Sequence, residues 1–186
     1  MFWNGFYRAA ICSSLNSNFI SNGLATNNEQ GTISNINGTF AYNYKDSSEG
    51  GAIYNYSRYD NARIEAIDAE FIGNKANYYG AAIYNSYRDG ESYVASIGSI
   101  SGKFIDNSVN KSGGAIYNTG TYEKGLITSI EADFTNNTAK YGGGAISNSG
   151  VITSIAGNFS GNKATDYGNS ASGGAIANGR IIGSYI

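Results

Sequence analysis

Two groups of side chains in this 186-residue chain have types and spacing that could do chemistry. The first is acidic: Asp60, Arg63, Glu65, Asp68 and Glu70 follow one another closely. Clustered carboxylates with an arginine nearby are what metal binding or acid–base cleavage of a polysaccharide uses. The second is aromatic: Tyr54, Tyr84 and Tyr117 each follow Ala-Ile and precede Asn. A column of tyrosines offers rigid ring area with a polar tip to a sugar or a protein partner. Other chemistries are missing their residues. There is no histidine, which excludes Ser-His-Asp and Cys-His mechanisms and the usual His-containing zinc sites. One cysteine forbids an intrachain disulfide.

The elements that position these groups are repeats. Phe-x-x-Asn occurs six times, at Phe19–Asn22, Phe40–Asn43, Phe71–Asn74, Phe104–Asn107, Phe134–Asn137 and Phe159–Asn162. Four residues before each Phe stand Leu15, Ile36, Ile67, Ile100, Ile130 and Ile155, and seven before it Cys12, Ile33, Ile64, Ile97, Ile127 and Ile152. Two before it only small residues occur: Ser17, Gly38, Ala69, Gly102, Ala132 and Gly157. A second element follows the last five copies. It runs from Gly50-Gly51-Ala52-Ile53 through Gly80-Ala81-Ala82-Ile83, Gly113-Gly114-Ala115-Ile116 and Gly143-Gly144-Ala145-Ile146 to Gly173-Gly174-Ala175-Ile176. The first Phe-x-x-Asn copy has no such element after Asn22.

Ile36, Gly38 and Phe40 alternate with Asn37 and Thr39, a period of 2 that means strand rather than helix. Short strands that cannot bury an apolar face alone must stack on their neighbours. The expected fold is therefore all-β, a single-stranded parallel β-helix (solenoid) of about six coils over residues 11–186. Residues 1–10, with Phe2, Trp3, Phe6 and Tyr7, are a candidate N-terminal cap. In such a stack each column becomes a ladder at a spacing of roughly 4.8 Å. Phe19, Phe40, Phe71, Phe104, Phe134 and Phe159 fill the interior beside Ile53, Ile83, Ile116, Ile146 and Ile176. Asn22, Asn43, Asn74, Asn107, Asn137 and Asn162 hydrogen-bond turn backbone and each other. The small column leaves room for the Phe rings. Gly-Gly suits a bend with positive φ or a close backbone approach, and Cys12 is a small buried hydrophobe.

Parity from Ile53, Ile83 and Ile116 places Tyr54, Tyr84 and Tyr117 outward, with Asn55, Asn85 and Asn118 inward. The tyrosines are either an exposed binding platform or an aromatic ladder that stiffens the helix. Asn18, Thr39, Glu70, Lys103, Asp133 and Asn158 form an outward column whose charges alternate in sign, a solvated face. Asp68 and Glu70 also point outward and have only Ser101 and Lys103 on the adjacent coil, so no catalytic or metal-ligating residue is assigned.

Phe-x-x-Asn with Gly-Gly-Ala-Ile in tandem resembles the polymorphic outer membrane protein repeat of bacterial autotransporter passengers, over about residues 11–186. The resemblance implies a right-handed β-helix displayed on the cell surface, with adhesion as its role. Composition agrees with a binding or structural module. Charged residues are 14%, the net charge is −2, and no apolar run approaches the length a membrane span needs. Nucleic acid and direct membrane insertion are thus not expected, nor is a cofactor. Met1 to Arg8 contain no signal-peptide pattern. Neither that nor a translocator barrel is read in this chain, and Ile181–Ile186 looks like the start of another coil, so a fragment of a longer passenger is expected. The expected function is a non-enzymatic, surface-exposed or secreted bacterial adhesin-like segment binding a host-cell or surface protein or glycan. The alternatives are a carbohydrate-active β-helix (polysaccharide-binding, lyase or glycoside hydrolase) and a purely structural stalk. Exposed coil ends, the Ile181–Ile186 end above all, are expected to self-associate.

Overall fold

The computed structural model describes residues 2–4, 10–46, 49–88, 92–121, 124–166 and 173–179. Every described strand pairs in parallel, and no helix occurs among the described residues. The chain winds as a β-solenoid of about five turns, each visiting three sheets in the same order. One turn runs through Ile53–Ser57, then Ala62–Ile72, then the two-residue Lys75–Ala76, and re-enters the first sheet at Ile83–Tyr87. The three sheets hold seven, nine and five strands.

Register follows the columns read from the sequence. Ile64 pairs with Ile97, Ile67 with Ile100 and Phe71 with Phe104, and the next turn continues with Ile127, Ile130 and Phe134. Phe40, Phe71, Phe104 and Phe134 are fully buried. Along the Phe ladder ring centroids lie 4.7–5.1 Å apart with planes within 15° of parallel. The strand repeat forces that spacing, and the offset stack adds to the area buried.

Alternation breaks once per long strand. Ile64 and Ile67 are three residues apart yet both buried, because Glu65 and Ala66 between them both turn away from the core. The ladder skips Glu65 opposite Gly98 and resumes at Ala66 opposite Ser99. Each long strand bends there and wraps the core.

The glycines of the small column have a cause beyond the one expected. Gly38, Gly102 and Gly157 adopt φ of +121°, +107° and +125°, a region that L side chains rarely adopt. A Cβ at Gly38 would collide with the carbonyl oxygen of Ser17, and one at Gly102 with that of Ala69. At these glycines smallness serves the backbone of the neighbouring turn, whereas Ser17, Ala69 and Ala132 in the same column carry no positive φ. The first glycine of the Gly-Gly pairs does need positive φ, +68° at Gly50 and +71° at Gly113, as does Gly80 of the Gly-Ala copy at +58°.

Polar interior columns are closed by asparagine. Nδ2 of Asn43, Asn74, Asn107 and Asn137 donates to Oδ1 of the next Asn in the ladder at 2.9 Å. The same Nδ2 donates to the carbonyl of a Phe in the preceding turn, as Asn107 does to Phe71 at 2.9 Å. Each Oδ1 also accepts the backbone N–H of the preceding Asn. Turn backbone with no sheet partner is thereby satisfied. A second ladder joins Asn28, Asn55, Asn85, Asn118, Asn148 and Asn178 at 2.7–2.8 Å.

That ladder reveals a degenerate second element in the first repeat. Leu24-Ala25-Thr26-Asn27-Asn28 takes the place of Gly-Ala-Ile-Tyr-Asn, with Thr26 opposite Ile53 and Asn28 opposite Asn55. Thr26 Oγ1 and Asn27 Oδ1 are buried there without a hydrogen-bond partner. Cys12 sits opposite Ile33 as expected, half-buried against the core. Phe2–Asn4 pair with Thr26–Asn28. Phe6, Tyr7 and Ile181–Ile186, on which the cap and self-association expectations also rest, lie outside the described residues.

Candidate binding surfaces

The acidic group lies along one exposed face of the long-strand sheet. Arg63 Nε stands 3.4 Å from Glu65 Oε1, and Lys103 Nζ 3.5 Å from Glu70 Oε1. Ser101 Oγ donates to Asp68 Oδ1 at 2.9 Å. In the same column as Glu70 and Lys103, Asp133 accepts from the backbone and side chain of Asn158. Glu65 pairs with Arg63 on its own strand, and Asp68, Glu70 and Asp133 each meet a donor or cation of a neighbouring turn, so they do not converge on a common point. No group of three or more metal-ligating side chains occurs among the described residues.

Tyr54, Tyr84 and Tyr117 do point away from the core, since Ile53, Ile83 and Ile116 and Asn55, Asn85 and Asn118 on either side are fully buried. They are not exposed, however. Tyr84 retains 8% of its accessible surface. The rings stack at 5.2 Å (Tyr54 on Tyr84) and 5.7 Å (Tyr84 on Tyr117), within 8° of parallel. Both ends of the stack are covered. Lys45 Nζ sits 4.9 Å over the Tyr54 ring, and Tyr79 packs on Tyr117 at 4.3 Å. Parity fixed the direction of these side chains, but the turn preceding each Gly-Gly folds over them. Gly50 closes against the Tyr54 ring so tightly that a Cβ there would stand 3.3 Å away.

Burial sets the chemistry of this stack. Desolvation is the main cause holding the phenols of Tyr54, Tyr84 and Tyr117 above the ordinary tyrosine value, and adjacent tyrosines add to it. Desolvation likewise lowers the Lys45 ammonium, against the opposing pull of Glu49 and Glu29. The column is thus neutral, stacked and capped by a cation at one end.

Open aromatic surface lies on the five-stranded sheet, where sequence reasoning assigned nothing. Tyr42 and Tyr44 keep 62% and 49% of their surface. They stand at one end of a groove of about 810 Å³ whose floor is laid by successive turns: Tyr44, Lys75, Ser108 and Thr138 occupy one register column. Lys140 and Thr165 extend the lining. A signal for it existed in the motif itself. The third residue of Phe-x-x-Asn is left-handed in every turn, at Ser21, Tyr42, Gly73, Asp106, Asn136 and Gly161. Tyr42, with φ of +54°, is the residue least suited to that position.

The family comparison agrees with the repeat pattern. Residues 68–86, 101–119 and 131–149 match the Chlamydia polymorphic membrane protein repeat. Each matched segment runs from the end of a long strand across the short strand into the Ile-x-Asn strand, and so covers both motifs of one turn. No curated protein and no solved structure matches the chain. Three consecutive turns of this parallel β-solenoid therefore carry the Chlamydia polymorphic membrane protein repeat.

Proposed function

We propose that this chain is a non-enzymatic, adhesin-like passenger segment of a bacterial outer-membrane or surface protein, presenting its solenoid faces to a host-cell or surface partner. The observation that carries the reading is the threefold match to the polymorphic membrane protein repeat on a parallel solenoid. Physical features support it. The interior is closed by apolar and asparagine ladders. The outward carboxylates are engaged between turns. What varies between turns is the outer surface, the part a binding protein diversifies while its scaffold repeats.

Two measurements test the proposal. Antibody raised against the chain should label intact cells of the source bacterium as strongly as permeabilised ones. The purified chain should bind cultured animal cells saturably and block attachment of the bacterium. Labelling only after permeabilisation, or linear non-saturable binding, would sink it.

A further inference from the structure

We propose that the groove on the five-stranded sheet, from Tyr42 and Tyr44 to Lys140, binds an acidic oligosaccharide laid along the solenoid axis. This deepens the surface-binding reading and rests on it only for its biological setting.

The strained residue is the first argument. Tyr42 holds a left-handed backbone that is unfavourable for an L residue, without gaining the burial that offsets it for a tyrosine elsewhere. Its ring packs against Gly73, where a Cβ would stand 2.8 Å from Cδ1 and Cε1. Tyr44 beside it is held by its own hydroxyl, which donates to Asp46 Oδ1 at 2.8 Å. Two exposed rings are therefore immobilised at the head of the groove. Rigid amphipathic rings lose little entropy on stacking against the apolar face of a pyranose.

Spacing and charge supply the rest. Ser108 and Thr138 offer hydroxyls at the turn repeat of about 4.8 Å, close to the length of one sugar unit in an extended chain. Among the described residues that line the groove, Lys75 and Lys140 carry the charge; Asp46 is occupied by the Tyr44 hydroxyl at its head, and Asp166 lies beside Lys140 at its far end. An extended peptide fits less well. Strand addition needs a free backbone edge, and the backbone here is already spent on pairing between turns.

The test titrates the purified 186-residue chain with three hexasaccharides: uronate-bearing, sulfated and neutral. Calorimetry is run at low and high salt. Binding of the uronate or the sulfated probe, weakened by salt and about tenfold tighter than the neutral one, supports the proposal, and the tighter of the two names the acid. Equal affinity for the neutral probe, or no binding to any, overturns it. Tyr42→Asn, which the backbone accepts because Asn136 has the same conformation, should lower affinity about fivefold with the melting temperature kept or slightly raised. Lys75→Glu should lower it about tenfold. Unchanged affinity in both variants overturns the groove assignment. Attachment of the chain to cells, measured in parallel, separates the two readings. Attachment without oligosaccharide binding removes the groove and leaves the adhesin, whereas oligosaccharide binding without attachment does the reverse.

Discussion

Tyr54, Tyr84 and Tyr117 stack on the sheet that begins each turn, while Tyr42 and Tyr44 stand on the five-stranded sheet. Both sets point away from the core. The first set is roofed by the turn ahead of each Gly-Gly pair and capped by Lys45 and Tyr79. The second set has only Gly73 beneath one ring and is open above. Outward direction is thus a property of the strand, and exposure is a property of what the neighbouring turn lays over it. Covered rings contribute to stability, whereas Tyr42 combines an exposed ring with a left-handed backbone.

The comparison breaks most readily at alkaline pH. The buried phenols ionise above the ordinary value of about 10 in the folded chain, whereas the unfolded chain loses those protons near 10. Above that pH the unfolded state binds fewer protons, so stability should fall as pH rises and stay level below it. Tyr54 and Tyr84, held furthest up, together give up to about 3 kcal/mol per pH unit, and Tyr117 adds in the same direction. Urea midpoints at pH 9, 10 and 11 measure it, and a flat profile would mean the stack is solvated.

Truncation comes next. Tyr84→Ser removes the middle ring and should cost about 2–4 kcal/mol, even though Ser147 fills the same column in another turn, because there the turn packs without a ring. Equilibrium unfolding reads the loss, and a change below 1 kcal/mol would return this column to the exposed class.

In the first repeat, Thr26→Ile should instead gain about 1–2 kcal/mol. The substitution replaces a buried hydroxyl that lacks a partner with the residue found opposite it at position 53. A lower denaturation midpoint would show that Oγ1 is satisfied in solution.

Smallest of all is Tyr42→Asn, expected to raise stability by up to about 1 kcal/mol as strain is released. A loss comparable to that of Tyr84→Ser would erase the distinction between the two tyrosine sets.

Much of this was legible in the residues because a solenoid converts sequence columns into spatial ladders directly. Equivalent positions stack at one strand spacing, so agreement among Phe19, Phe40, Phe71, Phe104, Phe134 and Phe159 is already a contact list. The Asn ladders followed for the same reason, and so did the inward Ile and outward Tyr. Two readings needed correction because they depended on geometry across the turn. The small column was assigned to ring space, yet Gly38 and Gly102 are glycine because a neighbouring carbonyl and a positive φ leave no room for Cβ. The missing second element after Asn22 was present as Thr26-Asn27-Asn28, hidden because pairing tolerates side chains that a motif does not.

By itself, then, the amino-acid sequence determined the all-β repeat, its period, its ladders and the direction of each column, since these depend only on alternation and stacking. Tertiary structure decided which outward residues are covered. Among the turns described throughout, length varies from the single residue Gln30 to the six residues 77–82, and a loop's path over a face is set by packing rather than by period. That path closes over Tyr54, Tyr84 and Tyr117 and leaves Tyr42 and Tyr44 open above the groove.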